Sequence, residues 1–121
     1  MQKIIAASLF LLAFSVSAKF INPMDFDGSE AQKNEVIEYI KSTVKRDYCN
    51  DTVDMCQDTM LRMMEDENLN AFKLATKATN RKVMDRVIKD YCSSEVNMCN
   101  YAMINMMYDE NIKASNNSLK W

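Results

Sequence analysis

From Val44 to Leu69 the chain follows a pattern that returns 43 residues later, from Val87 to Ile112. Thirteen of the 26 aligned positions are identical: Val44/Val87, Asp47/Asp90, Tyr48/Tyr91, Cys49/Cys92, Val53/Val96, Met55/Met98, Cys56/Cys99, Met60/Met103, Met63/Met106, Met64/Met107, Asp66/Asp109, Glu67/Glu110 and Asn68/Asn111. A period of this size marks one supersecondary unit used twice. Any fold for this chain has to make the same local structure in two places and let each copy bury its apolar face against the other.

The unit reads as a helical hairpin. Gly28 and Pro23 are the only glycine and proline, and both precede the first copy. A chain this free of breakers, and rich in Ala, Lys, Glu, Met and Leu, can run in long helices. Val36, Ile37, Ile40 and Val44 mark one apolar stripe, with Val83, Met84, Val87, Ile88 and Tyr91 as its counterpart. Val53, Cys56, Met60, Met63 and Met64 mark another, echoed by Val96, Cys99, Met103, Met106 and Met107. Spacings of three, four and seven suit an amphipathic α-helix and not a strand.

Helices are therefore predicted over 29–48, 52–67, 70–91 and 94–111. Ser29-x-x-Gln32 has the form of a capping box. Asp51 or Thr52 is the expected cap of the second helix, and Ser93 or Ser94 that of the fourth. With no glycine at hand, Asn68 and Asn111 are the expected left-handed residues that stop the second and fourth helices. The predicted class is all-α: a four-helix domain built from two 43-residue αα-hairpin repeats, 29–69 and 70–112, stapled by disulfides and related by a pseudo-twofold axis. An extended arm, 19–28, carries Phe20, Ile21, Met24 and Phe26 and is apolar enough to lie across the bundle. The tail, 113–121, is polar until Trp121, which is expected to dock.

Residues 1–18 read as a signal peptide: Lys3 is the positive start, Ile4 to Val16 the apolar run, and Val16-Ser17-Ala18 the cleavage pattern. The expected location is the periplasm or the extracellular space, with no transmembrane anchor. Four cysteines in an exported chain read as disulfides. There is no histidine, and Cys-x6-Cys occurs twice instead of the short spacing of a zinc site. In the chain-entropy model a bridge closing so short a loop stabilises by about 2.5 kcal/mol, against about 4 for one between repeats. Energetics alone thus favours bridges between repeats. Duplication and locality favour Cys49–Cys56 and Cys92–Cys99, each pair bracketing a predicted turn.

Composition narrows function mostly by exclusion. A formal net charge of −2 argues against nucleic acid as a partner. Without histidine, the commonest general base is missing, and the consecutive acids Glu65, Asp66 and Glu67 on a polar turn would be solvated and ordinary. No enzyme activity and no cofactor are expected. Asn50-Asp51-Thr52 and Asn116-Asn117-Ser118 match the N-glycosylation acceptor.

Eleven methionines admit three readings. Unbranched thioethers fill irregular cores, which is the expectation; they also make adaptable partner surfaces. Soft sulfur ligands select Cu(I), and the alternative metal set would be Cys56, Met60, Met63, Cys99, Met103 and Met106. The function expected is binding to an unidentified protein partner, as an inhibitor or immunity-type protein or a stress-related holdase of the cell envelope. Phe20, Phe26, Met64, Met107 and Trp121 are its candidate contact residues. A periplasmic carrier of Cu(I) or of a small apolar ligand is the alternative.

Overall fold

The computed structural model describes residues 19–93 and 98–121. The predicted leader, the predicted cap Ser94 and Val96 of the second stripe lie outside them. The described residues form a 3-10 turn (Pro23–Asp25) and four helices, α1 (Glu30–Tyr48), α2 (Asp58–Ala75), α3 (Arg81–Cys92) and α4 (Tyr101–Asn116), with no strand among them. No helix is long and apolar enough to cross a membrane.

Gly28, at φ 78°, turns the arm into α1. Ser29 then caps the helix by accepting from the Gln32 N–H at 3.2 Å. Only half of the capping box forms. The Gln32 side chain instead takes the Asp27 N–H at 2.8 Å, and Asp27 takes the Ser29 N–H at 2.8 Å. Of the orphan donors at the helix start the cap satisfies Gln32 N–H, and the other two bonds tie the arm to it.

The corner after α1 is where expectation and structure part. Asn50 controls it. Its side-chain amide donates to the carbonyls of Arg46 and Asp47 at 3.1 and 3.2 Å, closing the end of α1. Its side-chain oxygen accepts from the N–H groups of Thr52 and Val53 at 2.9 and 2.8 Å. Those donors are engaged in a turn, so neither Asp51 nor Thr52 starts a helix. Cys49 and Asp54 pair across the turn, Cys49 is bridged to Cys56, and α2 begins at Asp58. The second corner is bridged between Cys92 and Cys99, and Asn100, not a serine, caps α4 by accepting from Met103 N–H at 2.9 Å. Ser93 follows α3, where its hydroxyl donates to the Lys89 carbonyl.

Neither Asn68 nor Asn111 ends a helix. α2 continues to Ala75 and α4 to Asn116, and no non-glycine residue among the described ones has positive φ. The boundary expected at 69/70 falls inside α2, and the tail begins later than 113. Instead, each asparagine folds its amide back onto its own helix, Asn68 to the Met64 carbonyl (2.9 Å) and Asn111 to the Met107 carbonyl (2.7 Å). α2 stops without a left-handed residue. Lys77 and Ala78 donate to the carbonyls of Leu74 and Ala75, each at 3.0 Å, and the Thr76 hydroxyl donates to that of Lys73.

α1 packs on α2, α2 on α4, and α4 on α3. One core cluster gathers Val36, Ile40 and Val44 of α1, Ala71 and Phe72 of α2, and Ile21 and Tyr101. The other gathers Ala75, Met84, Val87, Ile104 and Tyr108. The arm straps both. The Tyr101 hydroxyl accepts the Ile21 N–H and donates to the Ile21 carbonyl, both at 3.0 Å. Phe26 meets Phe72 edge-on with centroids 5.1 Å apart, while Asp25 pairs with Arg81 of α3 at 2.5 Å.

The expected twofold relation between hairpins does not hold. Asn68 accepts the Ala102 N–H at 3.1 Å, Ala75 shares its cluster with Ile104 and Tyr108, and the Tyr108 hydroxyl accepts from Thr79 and Asn80 N–H. Contact points thus advance in the same direction along α2 and α4. A twofold would add a Thr59–Asn111 contact, but Thr59 is exposed and the Asn111 amide stays on its own helix. The two hairpins meet through different surfaces.

Candidate functional site

A trough follows the seam between α1 and α2. It consists of three hollows of about 380, 160 and 340 Å³. Ile37 and Leu69 line both the first and the second; Lys41 and Glu65 line both the second and the third. No residue of α3 or α4 lines any of them.

Its shape follows from the helix period. Val36, Ile40 and Val44 turn one edge of α1 into the core, which leaves the adjoining row Lys33, Ile37, Lys41 and Lys45 along the rim. On α2, Arg62, Glu65, Leu69 and Lys73 form the opposite row. The floor is apolar, with Phe72 and Leu69 on one side and Val36 and Ile37 on the other. Phe26, brought in by the strap, walls one end, and the Cys49–Cys56 bridge lines the other. From Lys33 to Lys45 the trough runs roughly 18 Å, at 1.5 Å per residue.

The rim charges are uneven. Five cationic side chains line the trough (Lys33, Lys41, Lys45, Lys73 and Arg62) against two acids, Glu65 and Asp66. Arg62 holds both oxygens of Glu65, at 2.9 and 2.5 Å, so those two offset each other. Glu65 is thus the least exposed partner of that pair and not a freely solvated acid. Lys33 and Lys41 pair with Glu30 and Glu38 on their own helix, and Lys73 makes no ion pair among the described residues. Exposed i,i+3 pairs of this kind hold their lysines only weakly.

Burial pushes the Tyr39, Tyr48 and Tyr101 hydroxyls above the usual tyrosine range, so they stay neutral hydrogen-bonding groups. Asp25 is lowered by its hydrogen bond from Arg81. These groups belong to the strap and the core.

The candidate contact residues of the sequence scatter. Phe20 stacks on Tyr101 (5.1 Å) and meets Tyr39 edge-on (5.4 Å), so it is largely core. Phe26 belongs to the trough. Met64 and Met107 pack inward, one against each core cluster. Trp121 does not dock: it is fully exposed, as is Leu119, because α4 ends at Asn116 and the polar link that follows carries both away.

The methionine stripe is also displaced. Val53 and Cys56 precede α2, and Cys99 precedes α4, so the cysteines do not share the helical face assumed for the copper set. Cys56 and Cys99 are in disulfides and are not thiolates. Met63 and Met106 are 56% and 50% exposed, and Met60 and Met103 half-buried. Among the described residues no group of three or more His, Cys, Asp or Glu side chains converges as a metal site would require. The glycosylation acceptor Asn50 spends its amide on the corner, whereas Asn116 is exposed at the end of α4.

Sequence reasoning missed the trough. Its signal was present in the cationic row Lys33, Lys41 and Lys45, at spacings of eight and four beside the stripe that contains Ile37. Comparison with protein-family models, with curated proteins and with solved structures found no match.

Proposed function

We propose that this chain is an exported protein-binding module, built from two 43-residue αα-hairpin repeats, that seats a helix of its partner in the α1–α2 trough. One observation carries this reading: Ile37, 37% exposed, and half-buried Leu69 present an apolar strip between two helical rims. A groove between two helices suits an amphipathic helix laid lengthwise, with anchors at i, i+3, i+4 and i+7. The two disulfides fit an oxidising compartment, where an inhibitor, an immunity-type protein or a holdase would meet its target. Catalysis is not part of the proposal.

The test is photo-crosslinking from position 37, followed by mass spectrometry, in the cell's own exported fraction. A stoichiometric partner should crosslink from position 37 and not from position 106 on α4. Ile37→Glu should abolish its capture while leaving the far-UV circular dichroism unchanged. Equal capture by the Ile37→Glu chain would refute the trough as the binding surface.

A further inference from the structure

We infer that the helix recognised by the trough is an acidic one, with carboxylates flanking its apolar stripe; this rests on the trough being the binding surface. The charges are placed for it. Lys33, Lys41 and Lys45 recur on α1 at intervals of two turns and one turn, and Lys73 faces them from α2. A cationic rim flanks the whole length of the apolar floor in a chain whose formal net charge is −2, so positive charge is gathered here against the overall balance.

The opposing acids do not cancel it. Glu65 is already held by Arg62, and Lys33 and Lys41 are held only by exposed i,i+3 pairs with Glu30 and Glu38. That leaves Asp66 as the one other acid lining the trough, against Lys45 and Lys73. A roughly 18 Å trough accommodates about 12 helical residues, or three turns. On such a helix, Leu-type anchors at i, i+4 and i+7 lie along Ile37 and Leu69 toward the Phe26 wall. Glutamates on one side of that stripe come within reach of the α1 lysine row, and one on the other side within reach of Lys73. Complementary rims of this kind set partner choice and association rate more than raw affinity. A basic or neutral helix would lose the rim contribution and keep the floor.

Two synthetic helical peptides test this, with one apolar stripe and either glutamate or lysine on its flanks, titrated calorimetrically into the oxidised 19–121 chain at low and at physiological salt. The acidic peptide should bind about tenfold more tightly than the basic one at low salt, with the difference shrinking as salt screens the rim. Lys41→Glu with Lys73→Glu should reverse the preference, and Ile37→Glu should weaken both peptides. Equal binding of the two would overturn the acidic partner while leaving the groove reading intact. Binding of neither would overturn both. Saturation of the trough by decanoate, with no binding of peptide, would make it a site for a small amphiphile. A concentration-dependent dimer abolished by Ile37→Glu would assign it to a second copy of the chain; either result overturns the inference.

Discussion

Hairpin 1 (α1 and α2) and hairpin 2 (α3 and α4) share the bridged cysteines of their corners and differ where they face each other. Tyr48-Cys49 and Cys56 recur as Tyr91-Cys92 and Cys99, and Met64 and Asn68 as Met107 and Asn111. Other positions 43 residues apart diverge in a consistent way. Asp58 and Glu65 stand where hairpin 2 has Tyr101 and Tyr108, which enter the interface. Phe72 and Ala75, buried between hairpins, correspond to Ser115 and Ser118, which are exposed. Each hairpin is thus apolar on the side that meets the other and polar on the equivalent outer side.

The strongest challenge to that asymmetry is Phe72→Ala against Ser115→Ala. The first should cost about 3–5 kcal/mol in urea unfolding, as aromatic truncations in a core do. The second, at the aligned but exposed position, should stay within about 0.5 kcal/mol. Comparable losses at both positions would mean that the outer face of hairpin 2 is also a packing surface.

Removing the corner bridges probes what the two hairpins share. Cys49→Ser with Cys56→Ser, and Cys92→Ser with Cys99→Ser, should each cost about 2.5 kcal/mol, since both close loops of the same length. Peptide mapping of the oxidised chain should return these two linkages alone. A peptide joining Cys49 to Cys92 would break the equivalence.

Asn68 and Asn111 should separate more finely. Both close onto their own helix, but only Asn68 also accepts the Ala102 N–H, at 3.1 Å. Asn68→Ala leaves a donor of the interface unpaired and should cost about 1–3 kcal/mol, whereas Asn111→Ala should cost about 0.5.

The smallest effect expected is in alkali. Tyr101 titrates well above the ordinary value of 10.0 because it is buried, so the unfolded chain releases its proton first. Its contribution is complete below about pH 10 and is lost as pH rises beyond that, because the unfolded state is then the one stabilised by ionisation. The melting temperature should fall more steeply above pH 10 in the native chain than in Tyr101→Phe. Identical slopes would show that the hydroxyl is not held in the buried, neutral form.

Helix class and the local cysteine spacing were legible because both depend on neighbours in sequence. Of the stripe Val36, Ile37, Ile40 and Val44, three residues are buried as the sequence predicts, while Ile37 turns out onto the trough. Corner detail was less accessible, because several polar residues competed for one set of orphan backbone groups. Asn50 accepts from the Thr52 and Val53 N–H groups in a turn, so α2 starts later and Val53 and Cys56 fall outside the helix to which their spacing assigns them. Asn68 was misread for a related reason. As a buried acceptor for another helix's N–H it needs no left-handed turn, but that partner lies 34 residues away. The trough was hidden because its two rims come from different helices, and only their register makes a row of lysines into a flank.

The hold of Tyr101 on Ile21 also sets an order of events. These residues are 80 positions apart, so the Ile21 end of the arm cannot complete its docking until α4 has formed. A chain emerging from its N-terminus can close the first corner early, with its bridge only seven residues long, and can seat Phe26 on Phe72 of α2. Ile21 and the stacked face of Phe20 must wait for Tyr101 of the last helix. Such non-local closure is the slow part of folding, and the waiting apolar segment is the part most open to aggregation. The first residues after the predicted cleavage site would then be among the last to find their place.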